Sequence, residues 1–214
     1  TKRLIPEFLI GASIINLNSS FKNLIPSSPP TTSSLSFFLN EVITLFTSGM
    51  VEECVVKVQE LISLYYDKEP FLFNLLGVAH AAQGDFKSAI LSYDTALSLE
   101  PNYFEVYNNM GVAYNDWKKP DVALLHLKKA IEINPQYSEA FNNIGNSYKQ
   151  KLELSLAIKN YKKAIDINPT YVDALCNLGI CLAIEKNYKE AKIVYEKAHS
   201  LDSRRIGIKI AYAN

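Results

Sequence analysis

The chain has 214 residues, with 22 Lys plus Arg against 22 Asp plus Glu, so its formal charge is zero. A general nucleic-acid binder needs a basic excess, and none is expected here. Hydrophobic residues make up 48% and charged residues 21%, enough to bury a sizeable core in one large or two small domains. Cys54, Cys176 and Cys181 are too few and too scattered for a disulfide framework. They are expected to be reduced thiols in a reducing, cytoplasmic compartment. No apolar run reaches the length of a membrane span, so no membrane partner is expected.

In chain order, TKRLIPEFLIGASIINL comes first, basic and then apolar, with Pro6 and Glu7 interrupting what could otherwise pass for a signal peptide. NSSFKNLIPSSPPTTSS follows at 18–34, and its Ser and Pro content reads as a linker. Residues 1–34 thus form an apolar segment plus linker. The linker spans roughly 20–25 Å as a random coil, enough for Leu4 to Leu17 to reach a groove of this chain or of a neighbouring copy.

From residue 70 onward the chain repeats. FNLLGVAHA, YNNMGVAYN, FNNIGNSYK and LCNLGICLA place Gly77, Gly111, Gly145 and Gly179 at a fixed period of 34 residues. Such a period overrides any element-by-element reading. Ala89, Ala123, Ala157 and Ala191 keep the same beat, as do Ala96, Ala130, Ala164 and Ala198. Pro101, Pro135 and Pro169 close three of the units, each with a Tyr two residues later. Within the third unit, Phe141, Ile144, Gly145 and Tyr148 have the spacing of one helical face, and Leu154, Ala157, Ile158, Tyr161, Ala164 and Ile165 form another. Each unit therefore predicts two antiparallel helices, A and B, joined by a short turn. Asn168-Pro169 stops the second of them.

These residues resemble the tetratricopeptide repeat: an aromatic at position 4, a large apolar residue and Gly at 7 and 8, Tyr at 11, Ala at 20, an aromatic at 24, Ala at 27 and Pro at 32. The third unit matches almost every place. The first departs at His80, the second at Leu127, and the fourth at Leu175, Leu182 and Ser203. The resemblance implies an all-α, right-handed superhelix with units at 70–103, 104–137, 138–171 and 172–205. Residues 35–69 read as a degenerate first unit, with Ser48-Gly49 at the turn and Cys54 where Ala89 falls. Residues 206–214 read as a partial capping helix. An uncapped solenoid end exposes an apolar face, so a homodimer through the ends or the N-terminal segment is a further expectation.

The resemblance also implies that positions 2, 5, 6, 9, 12 and 13 of each A helix line a concave groove. The expected groove residues are Asn74 in the first unit, and Glu105, Asn108, Asn109 and Asn115 in the second. The third contributes Glu139, Asn142, Asn143, Asn146 and Lys149, and the fourth Asp173 and Asn177. Asn109, Asn143 and Asn177 share one position and form a ladder. A primary amide carries two donors and an acceptor, so such a ladder can satisfy the backbone of an extended peptide. The arrangement resembles the superhelix of O-GlcNAc transferase and the repeat arms of bacterial sulfotransferase and glycosyltransferase proteins. Alanine in place of the three amides is expected to spare the helices.

Three functions follow as expectations: a scaffold holding a protein or peptide in the groove, the recognition arm of a larger transferase, or an assembly module whose groove is filled by its own or a neighbour's N-terminal segment. A clamp for acidic C-terminal tails is not expected, because Glu105, Glu139, Asp173 and asparagines stand where such a clamp needs Lys and Arg. No catalytic, metal-binding or cofactor-binding constellation is legible. His80 faces the repeat stack as a satisfied core histidine, and His126 and His199 lie on different B helices without a nucleophile at triad spacing. Lys128, Lys129, Lys162 and Lys163 read as a solvated basic strip on the outer side, and Trp117 as packing between repeats.

Overall fold

A computed structural model describes residues 32–65 and 68–203. The expectations for residues 1–31 and for the segment 206–214 lie outside the described residues. Among the described residues there are ten α-helices and no strand. They fall into two compact units divided after Pro101.

The first unit holds α1 (Thr32–Thr47), α2 (Val51–Tyr65), α3 (Pro70–Gln83) and α4 (Phe86–Leu99), each packed on the next. The second holds α5 (Phe104–Asp116), α6 (Pro120–Ile133), α7 (Ser138–Gln150), α8 (Leu154–Ile167), α9 (Val172–Ile184) and α10 (Tyr188–Leu201). In the second unit the A helices α5, α7 and α9 each pair with the following B helix, and α7 also touches α5 and α9. The result is an all-α solenoid of helix pairs.

The glycine ladder has a steric cause. A Cβ built on Gly145 would lie 2.5 Å from Cε1 of Tyr161, whose ring is fully buried. Gly179 stands in the same relation to Tyr195, Gly77 to Tyr93 and Gly111 to Leu127. The large side chain at position 24 of each B helix thus lies against bare backbone of its own A helix. The alanines at positions 20 and 27 of the B helices are wholly buried in all four regular pairs, which lets the helices close on each other. The tyrosine after Pro135 also has work in the core: Tyr137 meets Phe104 edge to face, with ring centroids 5.0 Å apart, and packs on Ala130 and Ala140.

Every A-to-B turn has one left-handed residue, and these recur with the repeat: Gly49, Gly84, Lys118, Leu152 and Lys186. Each turn closes with the hydrogen bond expected of a helix ending in that conformation, such as Glu153 N–H to the Tyr148 carbonyl at 2.9 Å. Glycine takes this conformation without penalty at the two turns of the first unit. The second unit forces Lys118, Leu152 and Lys186 into it at φ 61–62°.

One single residue departs from expectation. His80 is half-buried, and its Nδ1 has no hydrogen-bond partner, so the ring is packed but not satisfied. Trp117 stacks on Tyr114 of its own helix end, with centroids 6.1 Å apart, and carries the Lys119 ammonium 3.3 Å over its ring. Tyr114 in turn stacks on His126 at 5.2 Å.

Candidate functional site: an amide wall on the A helices

The asparagines of the second unit form a connected network between neighbouring A helices. Asn143 Nδ2 donates to Asn108 Oδ1 at 2.9 Å, and one repeat further on Asn177 Nδ2 donates to Asn142 Oδ1 at 3.1 Å. In the third and fourth repeats, position 6 thus reaches back to position 5 of the repeat before it. Longer contacts run along α7, from Asn142 to Asn143 at 3.5 Å and from Asn146 to Asn143 at 3.4 Å. Asn115 accepts from Ser147 Oγ at 2.9 Å and donates to the Asn143 carbonyl at 3.4 Å. Lys149 Nζ donates to Asn177 Oδ1 at 3.2 Å, and Tyr161 OH donates to Asn146 Oδ1 at 2.9 Å.

The network has two tiers. Asn108 and Asn142 at 3% exposure, and Asn115 and Asn177 at 5%, are buried between helices. Glu105, Asn109, Glu139, Asn143, Asn146, Lys149 and Asp173 are half-buried and reach the surface. Asparagine inside a helix costs roughly half a kcal/mol against alanine. A hydrogen bond between buried amides contributes about 1 kcal/mol, which offsets that cost and fixes the register of adjacent repeats. The buried tier answers why amides recur at positions 5 and 6 on otherwise good helices.

The structure brings together most of the expected groove residues, and it does not present them alike. Asn108, Asn115, Asn142 and Asn177 are engaged largely inside the wall. In the first unit most of the expected stripe is core, because Phe71, Asn74, Leu75 and Val78 are buried, while Ala81 and Ala82 are half-buried. Sequence reasoning placed Asn109, Asn143 and Asn177 on one equivalent ladder; the first two are half-exposed and the third is buried. Ser147 was not singled out, although its hydroxyl joins Asn115 to the Asn143 carbonyl. Its small size at a buried position beside Gly145 and Tyr148 was the available signal.

Electrostatics grade the wall from edge to edge. Glu105, Glu139 and Asp173 stand in the first turns of α5, α7 and α9. Lys149 lies ten residues along α7 from Glu139, about 15 Å at the helical rise. On the other side of the unit, a cleft of about 490 Å³ has Leu124, Leu125 and Leu156 in its lining. The Lys151 ammonium at its rim is held by Asp121 and Glu153, both at 2.9 Å. Those carboxylates hold its pKa well above the usual lysine range. Among the described residues, no group of three or more His, Cys, Asp and Glu could hold a metal ion, and no helix is long and apolar enough to cross a membrane.

Family models place this architecture. Tetratricopeptide-repeat models match residues 104–137, 138–171 and 160–193, and a TPR-repeat model matches 74–116, so together they span 74–193. The chain is a tetratricopeptide-repeat protein. Solved structures agree on the fold. TTC0263, a thermophilic TPR protein of Thermus thermophilus, is 19% identical with a TM-score of 0.72, over 83% of this chain and 97% of that one. MamA from Desulfovibrio magneticus RS-1 is 23% identical with a TM-score of 0.63, over 79% and 96%. YrrB, described as a TPR protein with an unusual peptide-binding site, is 18% identical with a TM-score of 0.55, over 92% and 95%. At such identities the likeness carries the fold alone. No curated protein matches the chain.

Proposed function

We propose that this tetratricopeptide-repeat protein is an interaction module that holds an extended segment of a partner protein against the A helices of its second unit. The observation that carries this reading is the two-tiered amide wall. Asn142 and Asn108 are buried and bonded to the half-exposed Asn143, whose amide is therefore held in one orientation instead of rotating freely. Preorganised donors and acceptors lose little entropy on binding, so they can pair with a peptide backbone at a net gain. Amides read backbone with little regard to side chains, which suits a module that takes a class of segments. YrrB, with its peptide-binding site, is a chain of this architecture that takes a peptide.

The test is an array of extended peptides probed with the full chain, beside a variant carrying Asn109→Ala and Asn143→Ala. Asn177 is left intact because it is buried and bonded to Asn142 and Lys149. A second variant, Lys128→Ser with Lys163→Ser, alters the B helices instead. Peptides retained by the parent and the B-helix variant, but lost by the amide variant at unchanged helicity, support the reading. Retention by all three, or by none, overturns it.

A further inference from the structure

Resting on that reading, we infer that the segment held by the second unit is cationic, with Lys or Arg side chains directed to the edge of the wall where the A helices begin. Glu105, Glu139 and Asp173 occupy position 2 of three successive A helices, and all three are half-exposed. They lie one helical turn from Asn109, Asn143 and Asn177 at position 6, so carboxylates and amides share one face. The cation this face carries, Lys149, stands at the far edge with its ammonium hydrogen-bonded to Asn177. An extended chain bonded to the amides would carry side chains toward both edges. On one of those edges they meet a row of negative charge repeating with the solenoid.

The ordinary structural use of these acids is to stabilise the positive end of a helix. The first unit shows that a regular repeat does not need an acid at position 2: α3 has Glu69 at its N-cap, no acid within its first turn, and the buried Phe71 at position 2. Net charge gives no competing explanation for a preference, because the whole chain is formally neutral. Any discrimination between cationic and anionic peptides therefore has to come from local charge.

The experiment compares three fluorescent twelve-residue peptides with one Gly/Ala/Ser background, bearing evenly spaced Lys, Glu or Gln. Binding to the full chain is measured at low and high salt, and again with Glu105→Gln, Glu139→Gln and Asp173→Asn combined. The Lys peptide is expected to bind about tenfold tighter than the Glu peptide at low salt. That preference is expected to shrink at high salt and largely vanish in the triple variant, whose amide wall is intact. Equal binding of Lys and Glu peptides, or a preference that survives the triple variant, overturns the inference while leaving the amide wall as a peptide site. Failure of all three peptides, together with an empty array, overturns the peptide reading itself and the charge assignment with it. If the triple variant melts early, each single variant read by its salt slope decides the matter, because a helix-dipole role changes stability and leaves the slope alone.

Discussion

The two units use one repeat for opposite ends. At positions 2, 6 and 9 of α3 the first unit has Phe71, Leu75 and Val78, all buried. At the same positions of α7 the second unit has Glu139, Asn143 and Asn146, all half-exposed. The A-to-B turns divide in the same way, with glycine at the left-handed position in the first unit and lysine or leucine in the second. What both share is the contact of position 24 with the glycine backbone. The helix pair is thus built by positions 8, 20, 24 and 27, and the outward stripe is free to become core or surface. Pairing and surface are separable in this repeat because different sides of one helix carry them.

The sharpest way to break the comparison is at position 6. Leu75→Ala removes a side chain that is 1% exposed and should lower stability by about 2–5 kcal/mol in denaturant titration. Asn143→Ala, at the equivalent site, should lower it by about 1–2 kcal/mol, since it strands Asn108 Oδ1, and should also show its effect in peptide binding. Similar stability losses at the two sites would mean that the second wall is core as well. Next comes the contact both units share. Gly145→Ala and Gly77→Ala should each lower stability by about 1–3 kcal/mol, the clash with a buried Tyr ring outweighing alanine's helix preference. Unequal losses would show that the two pairs close differently.

Asn177→Ala should follow at about 1–2 kcal/mol, since it strands Asn142 Oδ1 away from water and removes an acceptor from Lys149. The expectation that alanine spares all three ladder positions therefore does not extend to Asn143 or Asn177. At the turns, Leu152→Gly should raise stability by up to about 1 kcal/mol by relieving a left-handed leucine that is 82% exposed. Gly84→Ala should lower it by about as much. Thermal melts of the two single variants, moving in opposite directions, would check both.

The smallest effect concerns acid. Asp85 caps α4 by accepting from Ser88 N–H at 3.1 Å and Ser88 Oγ at 2.7 Å, and these bonds hold its carboxyl below the usual range. A carboxyl depressed by folding stabilises above its unfolded value, and that support is lost as pH falls through the folded value. The corresponding cap of α10 is Asn187, which does not titrate. Amide exchange at Ser88 should therefore accelerate in acid relative to Asp85→Asn.

Much of this was legible in the sequence because the repeat is written in residues that have few substitutes. Only glycine leaves room for Tyr161, only alanine lets the helices close, and a 34-residue period in both sets the helices of the regular units in their pairs. Helical spacing also groups positions 2, 6 and 9 on one side of each A helix, since that follows from 3.6 residues per turn. Which members of the stripe face water was decided by tertiary structure. Asn142 and Asn143 are neighbours in sequence and chemically identical, yet one is buried against the next repeat and the other is half-exposed. That difference depends on where the adjacent A helix sits, a distance the period does not contain. Leu152 makes a related point at the turns: the 34-residue period places it in register with Gly84, but leucine itself does not favour a left-handed conformation, and the closing of α7 onto α8 imposes it. The residue pattern determined that the chain would form this solenoid, and packing between repeats determined which of its amides reach the surface.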